Sequence, residues 1–194
     1  MRRIPLASCA VCAVLCLLAA CSSATLYVDP QIERHTVEAE WVNVSYTLEE
    51  LSAMANAVVQ ADVLEVRCDE NGYSLATLCV RASVKGDLSG EIVVRDTAWP
   101  YEASAERSWC GEPMMRPGHR VILYLTESDT AGVYTPAGNL AAAKFFLDAD
   151  NTYHNALLYS ACYNEQAAQS GDPRIPDLTD MTPKTFEELR AFIE

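Results

Sequence analysis

Hydrophobic and polar positions along this chain change period several times, and the changes mark out its elements. Residues 6–20 form an apolar run broken only by Ser8, behind the positive pair Arg2 and Arg3. Residues 22–46 mix Ser, Thr, Asp and Pro30 with scattered apolar positions and show no clear period. From Thr47 the period becomes helical: Leu48, Leu51, Met54, Ala55 and Val58 make one stripe, and Thr47 with Glu50 has the spacing of a capping box, which predicts a helix ending near Gln60. Alternation then takes over in 61–68 and 74–85. Leu64, Val66 and Cys68 fall on one face of the first stretch, and Leu78, Val80, Ala82 and Val84 on one face of the second.

These two stretches read as a hairpin about Asn71-Gly72, followed by a turn over 86–90 and a strand over 91–96. A long loop, 97–118, precedes 119–126, whose Val121-Ile122-Leu123-Tyr124-Leu125 run predicts a strand buried on both faces. Further strands are expected at 132–135 and 140–147, the last resuming at 153–159 across the turn 148–151. No internal repeat is visible. Five or six short strands without intervening helices predict a mainly β fold, a small OB-like barrel with one helix before it. Pro173 and Pro176 make a rigid connector, and Thr182-Pro183 starts a short C-terminal helix through Phe186, Leu189, Ala191 and Phe192 or Ile193. The expected organisation is a signal peptide at 1–20, a tether or irregular lead-in at 21–46, the barrel with its helix at 47–160 and the connector with its helix at 161–194.

The amino terminus changes the picture from a plain barrel to an exported one. Its apolar run is shorter than the roughly 20 residues a transmembrane helix needs, and polar Ser22 and Ser23 follow it, so a cleaved signal is expected. Leu18-Ala19-Ala20-Cys21 resembles the lipobox of bacterial lipoproteins. The resemblance implies cleavage before Cys21, a diacylglyceryl unit on its sulfur and retention on the extracytoplasmic face of the cell membrane. Two acyl chains suffice for lasting attachment, since each buried methylene contributes about 0.8 kcal/mol. Cys9, Cys12 and Cys16 then leave with the signal.

Charge narrows the partners. Losing the two arginines moves the net charge from −13 to −15, which excludes nucleic acid, whose phosphates need clustered Lys and Arg. An anionic bilayer would repel the domain as well, so the lipid must do the attaching. Four cysteines remain beyond the anchor: Cys68, Cys79, Cys110 and Cys162, an even number that reads in an exported chain as a disulfide framework. A two-residue turn at Asn71-Gly72 would set Cys68 opposite Leu75 and Cys79 opposite Leu64, too far apart to bridge, so either the hairpin is looser or these two do not pair; the connectivity stays open, and the alternative is that one or more of the four are buried free thiols.

The motifs of hydrolases, zinc helices, phosphate loops and dinucleotide sites are missing. The three histidines, His35, His119 and His154, have no metal-ligand spacing, and Asp148-Ala149-Asp150 lacks the Gly and Glu of a calcium loop where Tyr153 and Tyr159 stand. No catalytic residue, metal or cofactor is expected. The loop 97–118 carries Trp99, Tyr101, Trp109, Met114 and Met115 among charged residues, the composition of a contact surface. The same side chains would serve equally to plug an open barrel end, with Cys110 tying the loop down.

The succession Ala61-Asp62-Val63-Leu64-Glu65-Val66, Val80-Arg81-Ala82-Ser83-Val84-Lys85-Gly86-Asp87, Pro117-Gly118-His119-Arg120-Val121-Ile122-Leu123-Tyr124-Leu125 and Lys144-Phe145-Phe146-Leu147-Asp148 resembles a group of bacterial exported proteins with an OB-like barrel similar to tissue inhibitors of metalloproteinases. The resemblance covers about residues 46–155 and implies a fold more than an activity. In the animal inhibitors an amino-terminal cysteine chelates the target's zinc, whereas here Cys21 would carry lipid. The sequence thus points to a lipid-anchored, non-catalytic binding module with an unidentified protein or small-molecule partner. The alternatives are a modulator of an envelope or secreted protease working through the long loop, and an enzyme with acids assembled across loops.

Overall fold

Thr47 starts the first helix, α1 (Leu48–Met54), as a capping box: its hydroxyl accepts from Glu50 N at 3.1 Å and its own N–H donates to Glu50 Oε2 at 2.9 Å. The helix buries Leu48 and Leu51 and packs on a later strand of the barrel. It stops at Ala55, whose backbone is extended, instead of running on to Gln60. Val58, the last member of the helical stripe, belongs to strand β2 (Ala57–Cys68). The β-branched pair Val58-Val59 loses side-chain freedom in a helix and fits a strand flanked on both edges, which is where it lies. In the computed structural model the described residues are 33–37, 47–70, 72–96, 105–109, 113–138, 141–159 and 182–193, with backbone alone at 33–37, 105–109 and 159.

β2 pairs antiparallel with β3 (Ser74–Lys85), and β3 with β4 (Glu91–Asp96). The first connection is wider than the expected two-residue turn, because Asp69 N–H donates to Tyr73 O at 2.8 Å and the Asp69 carboxylate accepts from Tyr73 N at 2.8 Å. Cys68 therefore stands opposite Ser74 and not Leu75, and Cys79 opposite Asp62 and not Leu64. A further irregularity lies between Val63 and Glu65, which pair with consecutive residues Leu78 and Thr77 and leave Leu64 as a bulge. Leu64 is accordingly 47% exposed, while Ala61 and Val63 are buried. The expectation of one shared face for Leu64, Val66 and Cys68 is thus corrected: Leu64 and Cys68 are exposed, while Val66 packs against the core. On β3, Leu78 is buried and Val80 and Val84 pack against the core as alternation predicts.

β6 (Arg120–Glu127) runs antiparallel to β2 along one edge, and its Val121 to Leu125 run is buried throughout, as read from the sequence. Along the other edge it takes β7 (Val133–Pro136) near its end and β8 (Lys144–Leu147) nearer its start. β7 closes the circle by a parallel contact with β4, Val93 to Val133 and Val94 to Tyr134. The closed order β2-β3-β4-β7-β6-β2 with that single parallel seam makes a five-stranded OB-like barrel. β8 and β9 (Tyr153–Asn155) extend the sheet outside it. The strands expected over 140–147 and 153–159 are shorter than that, because a turn occupies 141–143 and a 3₁₀ helix covers Ala156–Tyr159.

Two other expectations shift. The lead-in is not wholly irregular: β1 (Glu33–Val37) pairs in parallel with β5 (Ala105–Trp109), which falls within the expected loop 97–118. The C-terminal helix, α2 (Phe186–Ala191), is capped by Thr185 with Glu188, three residues beyond the Thr182 start. It buries Leu189, and Lys184 just before it makes two backbone hydrogen bonds with Tyr153. One glycine is dictated by space. Gly86 has φ +72°, and a Cβ there would lie 3.0 Å from Asn56 O and 3.2 Å from the Ala57 Cβ, so the turn after β3 is pressed against the joint between α1 and β2.

Candidate functional site

Residues directly opposed in antiparallel strands share a face. Asp62 on β2 stands opposite Arg120 on β6, on the outer side of the strand whose Ala61 and Val63 turn inward. Arg81 on β3 is a bulge residue: its neighbours Val80 and Ala82 pair with consecutive residues Ala61 and Gln60. A bulge re-aims the extra side chain, and here it brings Arg81 onto the same carboxylate. Arg120 Nε donates to Asp62 Oδ1 at 2.7 Å, and Arg81 Nε donates to Asp62 Oδ2 at 2.7 Å. Beside them Gln60 Nε2 donates to the Tyr153 hydroxyl at 2.6 Å, tying β2 to β9. The result is a platform in which one carboxylate holds two guanidiniums by their Nε edges.

Burial alone would push the Asp62 carboxyl up, but the hydrogen bonds and charges of Arg120 and Arg81 outweigh it and hold the group below its ordinary value of 3.8. The hydrogen bond to Asp62 raises Arg120 in turn, and burial raises the Tyr153 phenol. Arg81 is 54% exposed and Arg120 35% exposed at their side chains, so each pair stabilises the fold by only about 0.2–1 kcal/mol. With two cations and one anion, the cluster is locally positive on a strongly acidic chain.

A second polar group lies inside, at the end where the long loop leaves β4 and re-enters β6. Lys144 Nζ donates to Asp96 Oδ2 at 2.8 Å, with both side chains shut off from solvent. Asp96 ends β4 opposite buried Ser74, and Lys144 opens β8 opposite Leu123. Since β8 follows β7 along the same edge of β6, this ion pair joins the barrel wall where the short β7 stops. At the same end His119 is buried, its Nδ1 accepting from Arg116 N at 3.2 Å and its ring meeting Phe146 edge-on at 5.6 Å. Burial, and then the Arg116 charge, push the His119 imidazole down to about 4, so it is neutral at pH 7. Farther along β6 the Tyr124 hydroxyl is buried with no hydrogen-bond partner among the described residues, and burial raises it far above its ordinary value.

The residues singled out in the sequence are dispersed. Met114 and Met115 are buried, at 1% and 2% exposure. Trp109 lies in β5, where only its backbone is described, and Trp99 and Tyr101 lie outside the described residues, as do Leu18, Ala19, Ala20, Cys21, Cys110 and Cys162. Cys68 and Cys79 are free thiols, the first exposed and the second half-buried, so the expected framework has no bridge among the described residues. Their separation across the hairpin agrees with the reading that they do not pair with each other. His154 lies near Asp150, 3.5 Å from its Oδ2, but no group of three or more metal-ligating side chains exists among the described residues.

The ionic platform escaped sequence reading because its members are 19 and 58 residues apart and meet through register and a bulge. The only advance signal was charge at outward positions of three different strands. No family model matches this chain, and a search of curated proteins finds no match.

Proposed function

We propose that the chain is an extracytoplasmic lipoprotein, held to the cell membrane by a diacylglyceryl unit on Cys21, whose OB-like barrel is a non-catalytic binding module. The relationship to bacterial exported proteins with barrels like those of the tissue inhibitors of metalloproteinases belongs to the same proposal. What supports the anchor is the Leu18-Ala19-Ala20-Cys21 sequence behind a short apolar run. The observation that carries the binding reading is the contrast between a filled interior and an open ionic outer face. Val121, Leu123 and Leu125 turn inward with Ala61 and Val59, and Met115 and the Lys144–Asp96 pair are sealed from solvent, whereas Arg81 and Arg120 present charge to it. A small barrel filled with side chains contacts partners through its outer face and loops.

Fractionation and mass spectrometry test the anchor together. The wild-type chain is expected to resist alkaline washing of membranes and to carry a lipid mass on Cys21, and Cys21→Ala to come off in the wash. Equal retention of the two would sink the anchor. The binding reading is tested in cells by photo-crosslinking groups placed beside the platform, at Leu64, exposed two residues from Asp62, and at Cys79, opposite Asp62. A discrete crosslinked product that is lost when a second charge-reversing substitution is made on the platform supports it, and the absence of any product counts against it.

A further inference from the structure

Hydrogen-bond capacity on the platform is unequally used. Each guanidinium carries five N–H donors in a fixed fork. Arg120 spends its Nε on Asp62, and its terminal Nη1 and Nη2 edge makes no hydrogen bond among the described residues. Arg81 places both its Nε and its Nη2 on the single oxygen Oδ2, leaving Nη1 uncommitted among the described residues. The Tyr153 hydroxyl accepts from Gln60 and so keeps its own proton to give. Uncommitted donors carried by two cations fit an anionic, acceptor-only ligand. Holding Arg120 by its Nε edge also fixes the plane of the guanidinium, so the edge suited to a bidentate oxyanion is already oriented.

We infer that the Arg81–Asp62–Arg120 platform docks a carboxylate group of a partner peptide, seated on the terminal edge of Arg120 with Arg81 beside it. The inference rests on the reading of the chain as a binding module and names the chemistry its outer face accepts. Charge selects carboxylate over phosphate. Two cations and one anion leave a single positive charge, which balances a monoanion, while a dianion would add an uncompensated charge to a chain already at −13. A planar, two-oxygen carboxylate fits the fork bidentately, as a phosphate also can, so charge makes the selection.

The test is a titration of the isotope-labelled full chain, read at the arginine Nε–H resonances. The probes are a short amino-blocked peptide with a free C-terminal carboxylate, the same peptide as its C-terminal amide, and inorganic phosphate. Saturable shifts at Arg81 and Arg120 with the acid, absent with the amide and at least tenfold weaker with phosphate, are the expected result. Arg120→Gln is expected to weaken binding about tenfold or more and Arg120→Lys nearly as much, because lysine keeps the charge and loses the fork. Arg95→Gln, on a separate surface ion pair with Asp129, is expected to leave binding unchanged. Equal shifts with acid and amide, tighter binding of phosphate, or full retention of binding in Arg120→Lys would each overturn the inference. If the acid fails while crosslinking at positions 64 and 79 still yields a specific product, the binding-module reading survives and the carboxylate inference alone falls.

Discussion

Asp62 and Asp96 are both aspartates held by basic side chains at bonds of 2.7–2.8 Å, yet they belong to different physical worlds. Asp96 and Lys144 are sealed between strands, where each charge has lost its water and depends on its protein neighbours. Asp62 is open enough for water to share the work with Arg81 and Arg120. Similar distances therefore carry different consequences. Inside, the pair helps fix how the wall closes, and removing one member leaves the other charge buried without this opposite. Outside, the cluster costs little to lose and keeps donors available for something else.

The comparison breaks most readily on the inside. Asp96→Ala should lower unfolding free energy by about 3–5 kcal/mol, the usual loss when a buried pair is halved, whereas the double replacement Asp96→Leu with Lys144→Met should recover most of it. Urea unfolding of the set decides this. A loss under 1 kcal/mol for the single variant would mean the site is wet.

Acid sharpens the contrast. His119 has a folded value of about 4 against an ordinary 6.5, so between these limits the unfolded chain binds more protons and stability falls as pH drops. The loss amounts to about 3 kcal/mol, complete near pH 4, and His119→Gln should flatten that limb. Asp62 behaves differently in range. Its stabilisation is fully present above 3.8 and is lost only as pH falls through its lower folded value, so Asp62→Asn should change the profile below about pH 4 and not above it.

Smaller effects separate the two tyrosines. Tyr124→Phe removes a buried hydroxyl that has no partner among the described residues and should stabilise by about 1 kcal/mol, whereas Tyr153→Phe takes away the acceptor of the Gln60 amide and should destabilise by a similar amount. Thermal unfolding of both compares them directly, and opposite signs are the expected outcome. Least of all, Arg81→Ala should cost under about 1 kcal/mol and lose even that in high salt.

Much of the fold was written in local pattern. β3 and β4 have the expected bounds, and the unbroken apolar run of β6 announced burial on both faces. What misled was overlap between periods. Leu48, Leu51, Ala55 and Val58 satisfy a helical stripe, yet the last of them is claimed by pairing with Tyr124 and Lys85. Leu64 satisfies alternation, yet the irregularity beside it turns it outward. The candidate site was less legible still, because no local rule brings Asp62 to Arg81 and Arg120. Lys144 inside an apolar stretch was the one visible anomaly, a charge that must find an opposite charge once buried.

The parallel seam between β4 and β7 rests on two residue pairs, far fewer than join β2 to β3. A cylinder opens at its shortest join. Amide protons at Val93, Val94 and Val133 should therefore trade with solvent deuterium sooner than those of the long hairpin, with Lys144 and Asp96 acting as the clasp that sets how often the gap yawns.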